Sequence, residues 1–325
     1  MKGKIGLEEH FAIEETVTDP KGLFPDEEWI ELSQRLVDLH DMRLRLMDQY
    51  GIEMMVLSLN APAIQRFLDP AEANRLSRKA NDFLAQAVRK RPDRFRALAA
   101  LPMQDSELAT RELERCVKEL GFKGALVNGF SQVNQPDRAI YYDLKQYWPF
   151  WEAVERLDVP FYLHPRAPLP SQAKIYEGHD WMLGPAWGFA QETAVHALRL
   201  MASGLFDKYP RLQIILGHLG EGLPYSMWRV DNCNAWVKKR HDYAAKKQIG
   251  DYFRANFHLT TSGNFHTPSL LCAMAEIGAD RIMFSTDWPF ENIDHAADWF
   301  DKAKIDEADR MKIGRSNAVK LFKLA

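Results

Sequence analysis

Cysteine is scarce in this sequence of 325 residues, which contains three, at Cys116, Cys233 and Cys272, and no Cys-x-x-Cys pair. This spacing excludes a disulfide framework, so we expect three small buried apolar side chains in a reduced, cytoplasmic protein. Long apolar runs are absent too, and the mean hydropathy is −0.37, which excludes a segment able to span a bilayer. Glu8 and Glu9 interrupt the first apolar stretch, which is therefore not expected to be a signal peptide.

An excess of charge of either sign is also missing. Lys and Arg number 42 and Asp and Glu number 45, a net charge of −3, so nothing points to nucleic acid as a partner. Hydrophobic residues make up 46% of the chain and charged residues 27%, a balance typical of a globular protein. No internal repeat, low-complexity tract or Pro/Ser-rich linker divides the chain, so we expect one domain over residues 1–325.

The sequence does contain short apolar runs separated by helical patterns. The runs are rich in Val, Ile, Leu and Phe without polar alternation, as expected for strands covered on both faces. We predict strands over residues 4–7, 55–59, 96–101, 124–127, 161–163, 213–216, 257–261 and 282–285. Helices are predicted over residues 41–50, 70–90, 105–120, 150–157, 190–206, 269–277 and 307–322. This alternation predicts an α/β fold, a (β/α)₈ TIM barrel, with an open doubly wound sheet as the alternative.

Two connections are too long for plain turns: residues 11–40 after the first strand and residues 165–188 after the fifth. Connections of this length in a compact domain usually carry function. Both leave the carboxyl ends of strands, where barrel enzymes place their chemistry. We therefore predict long βα-loop insertions that act as lids or contact other subunits.

Side chains that bind metal ions follow several of the predicted strands. Glu8 and His10 come directly after the first strand, and positions i and i+2 of an extended segment point the same way. His164, His218 and Asp287 end the fifth, sixth and eighth strands. All of these would converge on the barrel mouth, where imidazoles and carboxylates suit a divalent ion with positions open to water or substrate.

The other histidines are interpreted as core or loop residues. They are His40, His179, His196, His241, His258, His266 and His295. His179 is the one exception to watch, because it lies in the second long connection. Glu221 stands three residues after His218, between Gly220 and Gly222, and we expect it to orient His218 by a hydrogen bond that fixes the tautomer. The alternative is a carboxylate favoured by a helix N-terminus.

Four segments resemble the amidohydrolase superfamily: Leu-Glu-Glu-His at residues 7–10, His-Pro-Arg at 164–166, Gly-His-Leu-Gly-Glu at 217–221 and Phe-Ser-Thr-Asp-Trp-Pro at 284–289. More narrowly, they are similar to its decarboxylase branch, which includes α-amino-β-carboxymuconate-ε-semialdehyde decarboxylase, and within it to the group that acts on dihydroxybenzoates. The likeness covers essentially the whole chain.

The resemblance implies one divalent metal ion held by four residues. These would be Glu8, His10, His164 and Asp287. It also implies that His218 lies beside the substrate with Glu221 behind it. Hard oxygen ligands favour Mn²⁺, with Zn²⁺ as the alternative. Glu-x-His replaces the His-x-His common elsewhere in the superfamily, and no lysine ends a strand to carry a bridging carboxylate, which argues against a binuclear hydrolase.

The implied activity is the non-oxidative decarboxylation of a small aromatic acid, 2,6-dihydroxybenzoate, to resorcinol and CO₂, reversible at high bicarbonate. An ortho-phenolate makes the ring carbon basic, so a positioned acid can protonate it as CO₂ leaves. Asp287 is the candidate acid and His218 the alternative. Other ortho-hydroxy acids such as 2,3-dihydroxybenzoate, a mononuclear hydrolase or lactonase, and a non-catalytic metal-binding barrel stay open as alternatives.

Three further residues are candidates for substrate binding. Asn128, after the fourth strand, would hydrogen-bond a ring hydroxyl or serve only a turn, and Phe290 would cover an aromatic face or simply pack. For Arg229 the resemblance implies a position across a subunit interface, and the alternative is a surface salt bridge. The resemblance also implies a homotetramer, with which nine tryptophans are compatible. Neither nucleic acid nor a membrane is expected as a partner.

Overall fold

The computed structural model describes residues 1–240 and 243–324 and contains a barrel of parallel strands. The barrel strands are β1 (Lys4–Phe11), β2 (Ile52–Leu59), β3 (Phe95–Ala97), β4 (Ala125–Asn128), β7 (Phe161–His164), β8 (Ile214–Leu216), β9 (Phe257–Thr260) and β10 (Ile282–Met283). β5 (Ser131–Val133) and β6 (Gln135–Ile140) form an antiparallel hairpin outside the barrel. Each barrel strand overlaps one predicted from the sequence, whereas the hairpin was not predicted.

The strand order shows that the sheet closes on itself. Hydrogen-bonded neighbours run β1-β2-β3 and β4-β7-β8-β9-β10, and a bridge from Ala99 to Ala125 joins the two sets. At the remaining seam the Glu8 N–H donates to Ser285 Oγ at 2.7 Å. Because the neighbours follow chain order all the way round, the fold is the predicted (β/α)₈ barrel and not a doubly wound sheet, in which strand order reverses.

Helices surround the barrel and occupy the long connections. They are α1 (Asp26–Val37), α2 (Met42–Gln49), α3 (Pro70–Lys90), α4 (Ser106–Lys118), α5 (Trp148–Leu157), α6 (Pro170–Ala173), α7 (Gly188–Ala202), α8 (Leu205–Lys208), α9 (Leu223–Val237), α10 (Ile249–Asn256), α11 (Thr267–Ile277), α12 (Ile293–Lys302), α13 (Glu307–Met311) and α14 (Asn317–Phe322). A π-helical turn, Lys312–Ser316, joins α13 to α14. None of the helices in the described part of the chain has the length and apolarity to cross a bilayer.

Several predicted helices differ from the observed ones for local reasons. The predicted helix over 190–206 ends at Ala202, because Gly204 has a φ of 81° and starts a separate turn. α1 lies inside the connection over 11–40, and α9, α10 and α12 were not predicted as helices. Cys116 is buried as expected, whereas Cys233 and Cys272 are only half-buried, because α9 and α11 each bury one face and leave the other towards solvent.

The barrel interior is filled by apolar side chains of the strands. They are Ile5, Leu7, Met54, Val56, Leu126, Tyr162, Ile215 and Met283, together with Leu98 directly after β3. Phe322 of α14 and Leu324 after it join this cluster, so the chain terminus closes the amino ends of the strands. The carboxyl ends are therefore the open end of the barrel, where polar side chains can gather.

His196 of α7 is a fully buried histidine outside the predicted site. Another of these histidines, His241, lies outside the described residues. The Tyr142 N–H donates to His196 Nε2 at 3.2 Å, a bond that only an unprotonated nitrogen can accept. Burial lowers the pKa of His196 to about 3, whereas in the unfolded chain its pKa is about 6.5. As the pH falls below 6.5, His196 therefore becomes protonated in the unfolded chain but stays neutral in the folded chain.

We expect this histidine to make the fold less stable in mild acid. Between pH 7 and pH 5 its contribution to the free energy of unfolding should fall by about 2 kcal/mol. Urea unfolding of the wild type and of His196→Gln at both pH values measures the effect. The glutamine variant should depend less on pH, and an equal dependence in both proteins would contradict the assignment.

Candidate functional site

The four predicted metal ligands meet at the carboxyl ends of the strands. One ligand atom from each residue lies within 4.8 Å of the others, and all four residues are buried. They are Glu8 and His10 in β1, His164 at the end of β7, and Asp287 after β10. His164 Nε2 lies 3.0 Å from Glu8 Oε1, and His10 Nε2 lies 3.1 Å from Asp287 Oδ1.

A bulge in β1 sets the direction of the first two ligands. Gly6 pairs with Met55 of β2 and Glu9 pairs with Leu57, so β1 carries one residue more than its partner between these points. Such a bulge re-aims the side chains that follow it. Glu8 and His10 consequently share the inward face, as the i, i+2 spacing predicted.

The carboxylate of Glu8 has one anchored oxygen and one that is presented to the cluster. Glu8 Oε2 accepts hydrogen bonds from the hydroxyls of Tyr162, Thr260 and Ser262. Glu8 Oε1 lies 3.0 Å from His164 Nε2 but makes no hydrogen bond of acceptable geometry with any described residue. Gly217 makes room for this arrangement, because a Cβ there would lie 2.7 Å from Glu8 Oε2.

The donor set fits a divalent cation. Glu8 Oε1, His10 Nε2 and Asp287 Oδ1 are buried atoms with no hydrogen bond of acceptable geometry to any described residue. Buried polar atoms nearly always have a hydrogen-bond partner. Several unpartnered atoms that converge on one point therefore indicate a binding site for an ion or a ligand. Two carboxylates would balance the charge of a divalent ion, and imidazole nitrogens would complete a set of ligands suited to it.

His218 lies beside this cluster, at the turn from β8 to α9. Its Nε2 is 3.8 Å from Glu8 Oε1 and 3.7 Å from Asp287 Oδ2, and its Nδ1 is 2.7 Å from Glu221 Oε1. Burial lowers the pKa of His218, but the charges of Glu221 and Glu8 outweigh burial and raise it well above its usual value. The structure thus places Glu221 where the sequence predicted it, behind His218.

A cavity of about 220 Å³ opens above the cluster. Its walls are mostly apolar, as is typical of a site for a small organic ligand. The lining residues are Asp19, Pro20, Leu23, Phe24, Ala61, Pro62, His164, Arg166, Ala167, Pro185, Phe189, His218, Asp287 and Phe290. Both long connections contribute to this list, so they lie over the mouth as predicted.

The aromatic residue predicted to contact substrate is at the cavity. The ring of Phe290 lies 5.4 Å from the ring of His10 and 6.1 Å from that of Phe24, measured between centroids. An aromatic wall next to the ligand cluster is suited to hold a flat ring against it.

Other predicted residues do not line this cavity in the single described chain. The amide of Asn128 donates to the carbonyls of Asn60 at 3.1 Å and Pro62 at 3.4 Å, so it supports the loop after β2. Arg229 is exposed on α9, and His179 is exposed in its loop. Substrate contact by Asn128 and Arg229 therefore stays a prediction, and for Arg229 it requires a neighbouring subunit.

Sequence reasoning missed the groups that hold the ligands in place. The hydroxyls of Tyr162, Thr260 and Ser262 received no role, and neither did Glu9, which lies between two ligands but points away from them. Burial raises the pKa of Glu9 to about 7, although hydrogen bonds from Thr286 oppose the rise. The only signal available for Glu9, Thr260 and Ser262 was their place near strand ends, which many structural residues share, and Tyr162 lies inside β7 without even that signal.

A closed barrel with this ligand cluster at its mouth defines the class of protein. The family model named amidohydrolase matches residues 20–324, and the chain belongs to this family.

Within the family, this chain is similar to gamma-resorcylate decarboxylases. The one from Polaromonas sp. strain JS666 is 68% identical over 324 residues, covering 100% of this chain and 99% of that protein. The one from Rhodococcus jostii strain RHA1 is 62% identical over 327 residues, with the same coverage.

Solved structures agree with this placement. A dihydroxybenzoic acid decarboxylase from Polaromonas sp. JS666, with bound manganese and the inhibitor 2-nitroresorcinol, has a TM-score of 0.97 and 68% identity, covering 100% of this chain and 98% of that chain. A 2,6-dihydroxybenzoate decarboxylase complexed with 2,6-dihydroxybenzoate has a TM-score of 0.98 and 65% identity, covering 100% of both chains.

Proposed function

We infer that this protein is a metal-dependent, non-oxidative carboxy-lyase that converts 2,6-dihydroxybenzoate to resorcinol and CO₂, and that high bicarbonate reverses the reaction. The observation that carries this inference is the ligand cluster at one end of a small cavity with an aromatic wall. The 62–68% identity to gamma-resorcylate decarboxylases along the full chain supports the choice of substrate.

The metal is one divalent ion, with Mn²⁺ favoured and Zn²⁺ as the alternative. Glu8, His10, His164 and Asp287 would hold it. The manganese in the similar Polaromonas structure and the hard carboxylate oxygens both favour Mn²⁺. When bound, such an ion orients the substrate carboxylate and favours the ionised form of an ortho-hydroxyl.

Asp287 is proposed to move the proton. Its side chain lines the cavity, with Oδ2 on the side of His218 and Oδ1 on the side of His10. A carboxylate in this position can take the proton of the ortho-hydroxyl and deliver it to the ring carbon that bears the carboxylate. The bond between that carbon and the carboxylate then breaks, CO₂ leaves as the ring regains its aromaticity, and the phenolate that remains takes a proton from water to give resorcinol.

His218 and the surrounding walls are proposed to hold the substrate. Glu221 accepts the Nδ1 proton of His218, which leaves Nε2 directed at the ligand cluster and the cavity. Phe290 would cover one face of the ring, and Leu23 and Phe24 would exclude water from the mouth.

Four wider proposals accompany this assignment. The chain forms one domain over residues 1–325 and is cytoplasmic. The exposed Arg229, close to the exposed rings of Tyr225 and Trp228 on α9, would belong to a subunit interface of a homotetramer. Asn128 would contact the substrate through its Oδ1, which has no hydrogen-bond partner among the described residues.

A decarboxylation assay with 2,6-dihydroxybenzoate tests the proposed function. The protein is assayed as purified, after removal of metal by a chelator, and after reloading with Mn²⁺ or Zn²⁺, while resorcinol and CO₂ are both quantified. We expect resorcinol formation that is lost on stripping and returns on reloading. Fully metallated protein that forms no resorcinol would contradict the substrate, and turnover unaffected by stripping would contradict the metal.

A further inference from the structure

Glu9 stands between two metal ligands in the sequence, yet its carboxylate lies outside the cavity, fully buried on the opposite side of β1. There it accepts hydrogen bonds from one short segment, residues 285–288, which we call the Asp287 turn. The donors are Ser285 Oγ at 3.1 Å, Thr286 N at 2.9 Å, the Thr286 hydroxyl, and Trp288 N at 3.3 Å. A carboxylate with this many donors binds the turn in one conformation.

The donors lie on both sides of Asp287, the proposed metal ligand, in the sequence. The N–H groups of Thr286 and Trp288, the neighbours of Asp287 on either side, both point to Glu9. Asp287 itself has a φ of 68°, a left-handed conformation that is uncommon for residues with a Cβ. The turn therefore curls around the Glu9 carboxylate and directs the Asp287 side chain to the other side, into the ligand cluster.

The position of the Glu9 carboxylate is itself fixed. A Cβ on Gly6 would lie 2.3 Å from Glu9 Oε1, so the carboxylate packs directly on the glycine. Arg43, fully buried near the same strand, donates to the His10 carbonyl and so holds the backbone that follows Glu9. The backbone of β1 thus carries two ligands on one face and, on the other, the group that holds a third.

We propose that Glu9 is a positioning residue for the metal centre, which acts by holding the Asp287 turn. This inference rests on the proposed function, because it requires that the cluster bind a divalent ion. Glu9 does not touch substrate or metal ion; its effect passes through the peptide groups on both sides of Asp287. Groups that orient metal ligands in this way typically contribute a factor of about 10–100 to metal affinity.

The experiment compares Glu9→Gln with a matched control, Glu112→Gln. Glu112 is equally buried and accepts hydrogen bonds from Arg78, Asn81 and Arg115, but it lies in α4, outside the barrel. Mn²⁺ is titrated into each metal-free protein while the free ion is followed by its EPR signal, and Tm is measured alongside. The Glu9→Gln substitution keeps the size of the side chain but turns an NH₂ group towards donors.

We expect Glu9→Gln to weaken Mn²⁺ binding about 10–100-fold and to raise the Mn²⁺ concentration for half-maximal activity by the same factor. Glu112→Gln should lower Tm and leave Mn²⁺ affinity unchanged. Unchanged Mn²⁺ affinity in a folded Glu9→Gln protein would overturn the proposal, as would equal losses of affinity in both variants. Wild-type protein that binds no Mn²⁺ would instead contradict the proposed function.

Two milder variants keep the test decisive if Glu9→Gln does not fold. Thr286→Val removes one donor to Glu9 and leaves the carboxylate, and Gly6→Ala leaves every donor but pushes the carboxylate from its place. Each should weaken Mn²⁺ binding, by less than the loss expected for Glu9→Gln. Wild-type Mn²⁺ affinity in both folded variants would overturn the proposal.

Discussion

Asp287→Asn is expected to slow the decarboxylation of 2,6-dihydroxybenzoate about 10²–10⁴-fold while the protein still binds a divalent ion. Asparagine keeps an oxygen at the place of Oδ1, which lies 3.1 Å from His10 Nε2 in the ligand cluster. It has no group that can take up a proton and deliver it to carbon. The rate is measured in single turnovers, and the bound metal is determined by elemental analysis of the same sample.

A neighbouring carboxylate provides the control for this variant. Glu291 lies in the same segment, its N–H donates to the Asp287 carbonyl at 3.1 Å, and it is not among the residues that line the cavity. Glu291→Gln should therefore retain the wild-type rate. If Asp287→Asn holds its metal and still turns over at the wild-type rate, proton delivery passes from Asp287 to His218.

The barrel could be predicted because most of its strands contain a short apolar run buried on both faces. The hairpin β5–β6 could not, since Gln135–Ile140 is polar and largely exposed and shows no alternation. α9 was missed for a related reason. Its aromatic residues Tyr225 and Trp228 are exposed while few of its side chains are buried, so its apolar pattern does not mark the face that packs on the barrel.

α1 differs from the hairpin and α9, because the spacing of apolar residues typical of a helix was present in its sequence. Trp29, Leu32 and Leu36 are its buried residues and stand on one face of the helix. The acidic start of the helix, Asp26 to Glu28, matches the positive end of the helix dipole. The long connection over 11–40 therefore contained the pattern of a helix, although no helix was predicted there.

The ligand cluster could be predicted because the topology of the fold brings strand ends together wherever they lie in the sequence. What holds the ligands depends on contacts that sequence spacing does not encode. Tyr162 reaches Glu8 across the barrel interior, and the bulge that turns Glu8 inward arises from the register of β1 against β2. A hydroxyl or an extra residue in a strand becomes informative only when the partner strand is known.

His218→Asn is expected to lower kcat about 10²–10³-fold, the loss typical of removing one hydrogen-bond donor from the reacting groups. Its Nε2 lies 3.7 Å and 3.8 Å from the nearest cluster oxygens, farther than the contacts of His10 and His164 within the cluster. Mn²⁺ affinity should therefore stay close to that of the wild type. Loss of Mn²⁺ binding in this variant would instead make His218 a metal ligand.

Removing the charge of Glu221 should change the pH dependence of the rate in a defined direction. Because Glu221 accepts the Nδ1 proton, His218 can donate from Nε2 only as the imidazolium, which persists below its pKa and is lost as the pH rises through it. Glu221 raises the pKa of His218, so Glu221→Gln should lower it, and the decline of kcat at alkaline pH should begin at a lower pH than in the wild type. The full pH profiles of both proteins, each saturated with Mn²⁺, measure this shift. An unchanged alkaline limb would mean that the neutral imidazole is the working form, with Nε2 accepting a hydrogen bond from the substrate.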